Sequence, residues 1–360
     1  MVDTMARLRA FLRRTTRLRG ASPRPAAGPS AGASAAPATG PQAGPPAGDE
    51  VLLDVPDDRL APALVAAAHG AHGPAAALLA GTRAQERWEH RDRYAARLAA
   101  FARSRPEWLR AWHTAAPEDP DGRLVTVRLA VDRCWESPDR VELLRQIAPM
   151  VTEAAENSGR DPVPWRVALD SARGRHAGHA EFERLWTEAV RRCPHHYGCH
   201  VAALEYLAAA SPGAHRECLD FAETAAKDAP EGSALRALPL RAAFRCLTEG
   251  GAGAVGRARL DTAADLALAL SAAQPAADPW PAELRNLLVY VLVRLERWPD
   301  ALEQLRLAGP YATSFPWDRE AEDPLGRFLQ VRDGVRAAVA GKVPAGVCGG
   351  RGSHAGPGAH

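Results

Sequence analysis

Lysine is nearly missing from the 360 residues: only Lys227 and Lys342 stand among 45 basic side chains. Ala, Gly and Pro are abundant, so this bias reads as the imprint of a GC-rich coding sequence. The surplus of Arg is then no argument for Arg chemistry. No run approaches the ~18 apolar residues that a membrane span needs, and the chain is expected not to cross a bilayer. Six cysteines (134, 193, 199, 218, 246 and 348) show no framework of short, even spacings, and no secretory signal precedes them. That predicts reduced thiols in a cytoplasmic protein. No stretch alternates β-branched and polar residues over the length of a strand, which leaves nothing to build a sheet.

The 46% apolar content supports a sizeable core in one large domain or two ordinary ones. The net charge of +2 hides an asymmetry: residues 1–48 carry seven Arg against Asp3 alone, and the remainder is about −4. The basic excess lies in MVDTMARLRAFLRRTTRLRG. Met5, Leu8, Phe11, Leu12 and Leu18 can share one side of a helix there, with Arg7, Arg9, Arg13, Arg14 and Arg17 over much of the rest. As an amphipathic helix, residues 1–20 would make a peripheral membrane contact. A disordered basic tail, or a start codon placed too far upstream, is the preferred reading. Arg interrupts every apolar stretch that a secretory signal would require. Residues 21–48 form a Pro/Ala/Gly/Ser tract and read as a disordered linker. Residues 341–360 read as a disordered tail, which leaves 49–340 as the folded part.

Within 49–340 apolar residues recur three and four apart, as in AEFERLWTEAVRR (180–192), RARLDTAADLALALSAA (257–273) and PAELRNLLVYVLVRLE (281–296). Asp278-Pro279, Asp161-Pro162 and Ser137-Pro138 each place a capping side chain before a Pro suited to a first turn. The fold class expected is all-α. A fixed inner spacing precedes several prolines: Phe182-x3-Trp186-x2-Ala189-x4-Pro194, and Cys218-x3-Ala222-x2-Ala225-x4-Pro230. The frame before Pro275 holds Ala263, Ala267 and Leu270, and that before Pro106 holds Tyr94, Leu98 and Phe101. Pro194, Pro230, Pro275 and Pro310 lie 36, 45 and 35 residues apart, and the long interval contains GGAGAVG (250–256).

In this layout the chain resembles the tetratricopeptide repeat family, whose second helix carries small-x3-aromatic-x2-Ala-x4-Pro and whose period is 34. Arg297-Trp298-Pro299-Asp300-Ala301, with Leu305 and Ala308 following, resembles the family's short turn and second helix. The resemblance covers 162–310, with 49–159 as divergent helix pairs, and the family's Trp, Leu-Gly and Tyr slots of the first helix are mostly unfilled. It implies a right-handed α-solenoid of stacked helical hairpins whose first helices form a concave surface. Glu283, Asn286, Tyr290 and Arg294 fall at i, i+3, i+7 and i+11 on one first helix, and Arg241 and Arg245 on another. The resemblance implies that such a stripe holds peptide carboxylates or acidic side chains. The expected function is therefore a non-catalytic scaffold for a protein or peptide, with no cofactor and no nucleic-acid partner.

Several apparent motifs lack their context. Gly251-Ala252-Gly253-Ala254-Val255-Gly256 matches a dinucleotide-binding turn but follows a helix, and reads as a flexible insert. Gly28-Pro29-Ser30-Ala31-Gly32 lies in the linker, where no strand can present the serine. The acidic run Asp318, Glu320, Glu322 and Asp323 reads as solvated charge. Trp88, Trp108, Trp112, Trp186 and Trp298 sit within or beside apolar helical faces, and most of them read as core packing. The densest cluster of reactive side chains is RCPHHYGCH (192–200). Cys193, His196, Cys199 and His200 could ligate a metal or serve a thiol enzyme, although Cys-x5-Cys is not a common zinc spacing. His176 and His179 stand at the opposite end of the preceding helix, too far to join them. The alternative expectation is thus an enzyme centred on these four residues, set against a plain corner between repeats.

Overall fold

A computed structural model describes residues 50–210 and 213–341. The basic segment 1–20, the linker 21–48 and the tail beyond Gly341 lie outside the described residues. The described chain falls into two compact units, one from Pro56 to Ala273 and one made of the stretch before Pro56 with the residues from Gln274 onward.

The first unit is built of α1 (Leu60–Ala68), α2 (Gly73–Ala84), α3 (Trp88–Ser104), α4 (Glu107–Ala115), α5 (Pro120–Glu136), α6 (Arg140–Glu156), α7 (Val163–Gly174), α8 (His179–Arg192), α9 (Tyr197–Ala210), α10 (His215–Asp228), a 3-10 turn (Ala234–Ala237), α11 (Leu238–Thr248), α12 (Ala252–Val255) and α13 (Arg257–Ala272). Helices α5 and α6, α7 and α8, α9 and α10, and α11 and α13 pack as successive hairpins. Across the hairpins α3 packs on α5, α5 on α7, α7 on α9 and α9 on α11. The first helices therefore form one continuous row. Such next-neighbour packing is what a helical repeat requires.

The frame read from the prolines falls mostly in the core, with Phe101 and Leu270 only partly buried. Phe182, Trp186 and Ala189 of α8, Cys218, Ala222 and Ala225 of α10, and Ala263 and Ala267 of α13 are all buried. Small residues at these slots let adjacent helices approach closely, and the large Phe182 and Trp186 fill the gap where α8 meets α9 and α10. Phe182 stacks on Tyr206, and Trp186 meets His200 and Phe221. Trp108, Trp112 and Trp186 are core, as their helical faces imply, whereas Trp88 and Trp298 are only partly buried.

The capping side chains expected before Pro162 and Pro138 instead close turns just ahead of their helices, whose N-caps are Pro162 and Asp139 without a side-chain cap bond. Asp161 Oδ1 accepts from the backbone N–H of Val163 at 2.9 Å, and Ser137 Oγ from that of Asp139 at 3.2 Å. Another expectation fails: Gly250–Gly256 is not a flexible insert. It makes the helical turn α12, which buries Val255, packs on α10, α11 and α13, and holds Gly251 so close to His215 that a Cβ would collide with the ring.

The second unit comprises β1 (Leu52–Leu53), α14 (Ala282–Arg294), α15 (Trp298–Ala308), β2 (Tyr311–Ala312), α16 (Ser314–Trp317) and α17 (Pro324–Val339). Its α14–α15 hairpin turns at Leu295–Arg297, where the sequence places the repeat turn. Two strands of two residues pair in parallel, Leu52 with Tyr311 and Leu53 with Ala312, a long-range contact without a periodic signature. Among the described residues, all seventeen α-helices fall short of the length and apolarity needed to cross a membrane.

Candidate functional site

The row of first helices carries a repeated charged frame. Arg128-Leu129-Ala130-Val131-Asp132 on α5 recurs as Arg166-Val167-Ala168-Leu169-Asp170 on α7. The apolar residues between each pair, Val131, Val167, Ala168 and Leu169, face the core. Arg and Asp, four apart, are thereby turned together onto the face shared with the neighbouring first helices. Arg128 holds Asp132 at 3.0 Å, and Arg166 holds Asp170 at 2.6 Å. Asp92 on α3 joins them, 3.2 Å from Arg166 and 3.8 Å from Arg128. On α9 and α11 the row continues as Glu205 between Arg241 and Arg245, with Glu249 beyond.

These groups are neither solvated nor sealed. Arg128, Asp132, Arg166, Asp170, Glu205, Arg241 and Arg245 keep between 13% and 24% of their side-chain surface. Burial works against the charge of Arg166, but Asp170 and Asp92 outweigh it and its pKa is raised. Burial likewise opposes ionisation of Asp170, and Arg166, Arg173 and Arg128 overcome it and hold the carboxyl below its usual range. Arg166 and Asp170 therefore both stay charged at neutral pH.

Deeper between the same helices lies a second ion cluster, in which Arg91, Asp121 and Asp161 are buried. Arg91 on α3 is 1% exposed and spans Asp121 at 2.6 Å and Asp161 at 2.5 Å, with a further bond to the Leu79 carbonyl at 2.9 Å. Arg83 adds a second cation on Asp121 at 3.1 Å. Every donor of Arg91 used here meets an acceptor, which is the condition for tolerating a charge in a core. This cluster ties α3, α5 and the entry of α7 together.

The RCPHHYGCH stretch forms the corner between α8 and α9. His196 and Cys199 are buried side by side, with His196 Nδ1 3.2 Å from Cys199 Sγ. His196 Nε2 points toward Glu89 and Asp92 of α3 at 3.9 and 4.0 Å. His200 does not join them: its Nδ1 meets the His196 carbonyl, and its ring packs on Trp186 and Phe221. Cys193 lies outside the helix, at the end of α8. No set of three or more His, Cys, Asp or Glu among the described residues is arranged to hold a metal ion. Burial pushes the Cys199 thiol well above its ordinary value, which suppresses the thiolate that a nucleophile needs. His179 pairs with Glu183 at the far end of α8.

The residues named from the sequence thus separate. Arg241 and Arg245 stand on the row of the first unit. In the second unit Glu283 is exposed, but Asn286 and Tyr290 are buried, contrary to the open stripe expected. Asn286 accepts from Trp317 Nε1 at 2.8 Å and donates to the Tyr311 carbonyl at 3.0 Å. Tyr290 donates to Glu320 at 2.6 Å, and Arg294 donates to Glu320 at 2.8 Å. The chain's own segment from Tyr311 to Glu320 occupies that stripe. Glu320, expected as solvated charge, is one of its anchors and also takes Arg327 at 2.8 Å.

Sequence reasoning missed Asp92, Arg128, Asp132, Arg166, Asp170 and Glu205. The identical Arg-x3-Asp frames 38 residues apart were the available signal. The chain matches no family model, no curated protein and no solved structure.

Proposed function

We propose that the protein is a non-catalytic binding scaffold, a divergent tetratricopeptide-like right-handed solenoid of the cytoplasm that receives a polypeptide segment on its row of first helices. One observation carries this reading: α3, α5, α7, α9 and α11 stack in chain order and bring partly exposed charges of both signs onto one shared face. Such charges are already desolvated in part and held by neighbours, so a charged segment can exchange into their ion pairs with little ordering cost. Arg241 and Arg245 are the most suitable anchors, because both cations stay partly exposed on the row, at 15% and 22% of their side-chain surface. A carboxylate of a bound segment would exchange into the pairs these arginines make with Glu205 and Glu249.

The test is affinity capture from the protein's own cell extract with the full chain and with an Arg241→Ala/Arg245→Ala variant. A partner retained by the full chain and lost from the variant, with helical circular dichroism unchanged, supports the face. Equal retention by both contradicts it.

A further inference from the structure

A second charged feature lies where α5 ends, α6 begins and α7 ends. The guanidinium carbons of Arg140, the first residue of α6, and Arg173, in the last turn of α7, both lie over the ring of Trp135, at 4.9 and 4.4 Å from its centroid. Held on one ring, the two cations are within ~10 Å of each other, about one Debye length at 0.1 M salt. They repel, and Asp170 offsets Arg173 alone. It lies 3.7 Å from Arg173 and is shared with Arg166, to which it is bonded at 2.6 Å. Of the other carboxylates on adjoining turns, Asp132 is engaged with Arg128, Glu136 with Arg103 and Glu142 with Arg145, and Asp139, next to Arg140, forms an ion pair with neither arginine. Among the described residues Arg140 makes no ion pair, and the Nε atoms of Arg140 and Arg173 are both buried without an acceptor.

We propose that Arg140 and Arg173, held on Trp135, bind a phosphate group. Stacking on an indole fixes each guanidinium plane and leaves its edge to face a ligand. The support is rigid. Gly174 follows Arg173, and a Cβ there would come within 2.9 Å of Trp135 Cζ2 and collide with Leu144. The end of α7 is thus seated tightly against α5, so the two forks are positioned before a ligand arrives. A carboxylate has two oxygens and can satisfy one fork. A phosphate carries enough oxygens and charge for both. The positive end of the 17-residue α6 adds in the same direction. This site does not depend on whether the row of first helices binds a polypeptide.

The shared chemistry is phosphate, whether free or carried on a side chain, and the two sources separate in one titration of the full chain. Calorimetry is run with inorganic phosphate, with N-acetyl-phosphoserine amide, and with acetate as the carboxylate probe. Saturable binding of a phosphate probe, with acetate at least about tenfold weaker, supports the site. The tighter of the two phosphate probes identifies the source. Arg140→Ala is expected to weaken phosphate binding at least about tenfold, with Arg140→Lys between it and the native chain. Arg140 makes no ion pair, so this variant decides the matter even if Arg173→Ala does not fold. No saturable binding of either phosphate probe at about 10 mM, equal binding of acetate, or unchanged binding by Arg140→Ala would overturn the proposal.

Discussion

Glu89 on α3 accepts a hydrogen bond from the backbone N–H of Tyr197 at 2.8 Å, across 108 residues of sequence. A carboxylate from the first helix of the row therefore caps the N-terminus of α9, the fourth, and stabilises its unpaired N–H groups. One turn on, Asp92 meets Arg166 of α7. The charged face is thus a set of cross-helix ties within the first unit, and its members have measurable roles in stability as well as binding.

Arg91, in the cluster beneath that face, makes the most buried of the ties between these helices. Replacing it with Met leaves Asp121 and Asp161 buried at 2% and 3% exposure with their shared cation gone. The expected cost is about 3–5 kcal/mol in urea unfolding. Adding Asp161→Asn to Arg91→Met should cost less than the sum of the two single changes, because one buried charge then disappears with the other.

Gly198 is expected to be intolerant of a methyl group. A Cβ there would collide with Asp92 Oδ2 and lie 3.0 Å from Arg166 Nε and 3.1 Å from His196 Cε1. Gly198→Ala should destabilise by about 1–3 kcal/mol, whereas Gly253→Ala, which meets nothing within 4 Å, should be near neutral. Thermal midpoints of the two variants make the comparison.

Acid should weaken the fold in a defined window. Burial lowers the pKa of His200 from 6.5 to about 4. The unfolded chain therefore takes up the proton first as pH falls. The stabilisation from keeping His200 neutral is complete above its unfolded value, is lost between about pH 6.5 and 4, and amounts to about 3 kcal/mol. Asp170, with a depressed folded value, adds a loss in the same direction at lower pH. His200→Phe keeps a ring against Trp186 and Phe221 and removes the titration, so its urea midpoint should change less between pH 7 and 4.5 than that of the native chain.

Cys199 is expected to be inert in the folded state. With its thiol raised by burial and no exposed surface, labelling by a disulfide reagent at pH 7 should wait for unfolding, while the less buried Cys193 reacts earlier. Mass spectrometry of the labelled peptides reads both. Rapid labelling of Cys199 would revive a thiol chemistry at this corner.

The helices were legible because burial leaves a local imprint: Phe182, Trp186 and Ala189 recur at core spacing, and Pro194 marks the corner after them. The charged row was not, because an Arg-rich chain disguises two Arg-x3-Asp frames as background, and a period keyed on prolines passes over them. Asn286 and Tyr290 were misread for a different reason. A polar stripe on one helix looks open until its cover is known, and here the cover is Trp317 and Glu320, about thirty residues later. No periodicity within α14 carries that information.

Hydrogen exchange of the full chain, alone and saturated with a captured partner, tests the binding face most directly. Added protection concentrated in Tyr197–Ala210 and Leu238–Thr248, which carry Glu205, Arg241 and Arg245, is the predicted result. Protection confined to the second helices, His179–Arg192 and His215–Asp228, with those two segments unchanged, would contradict it.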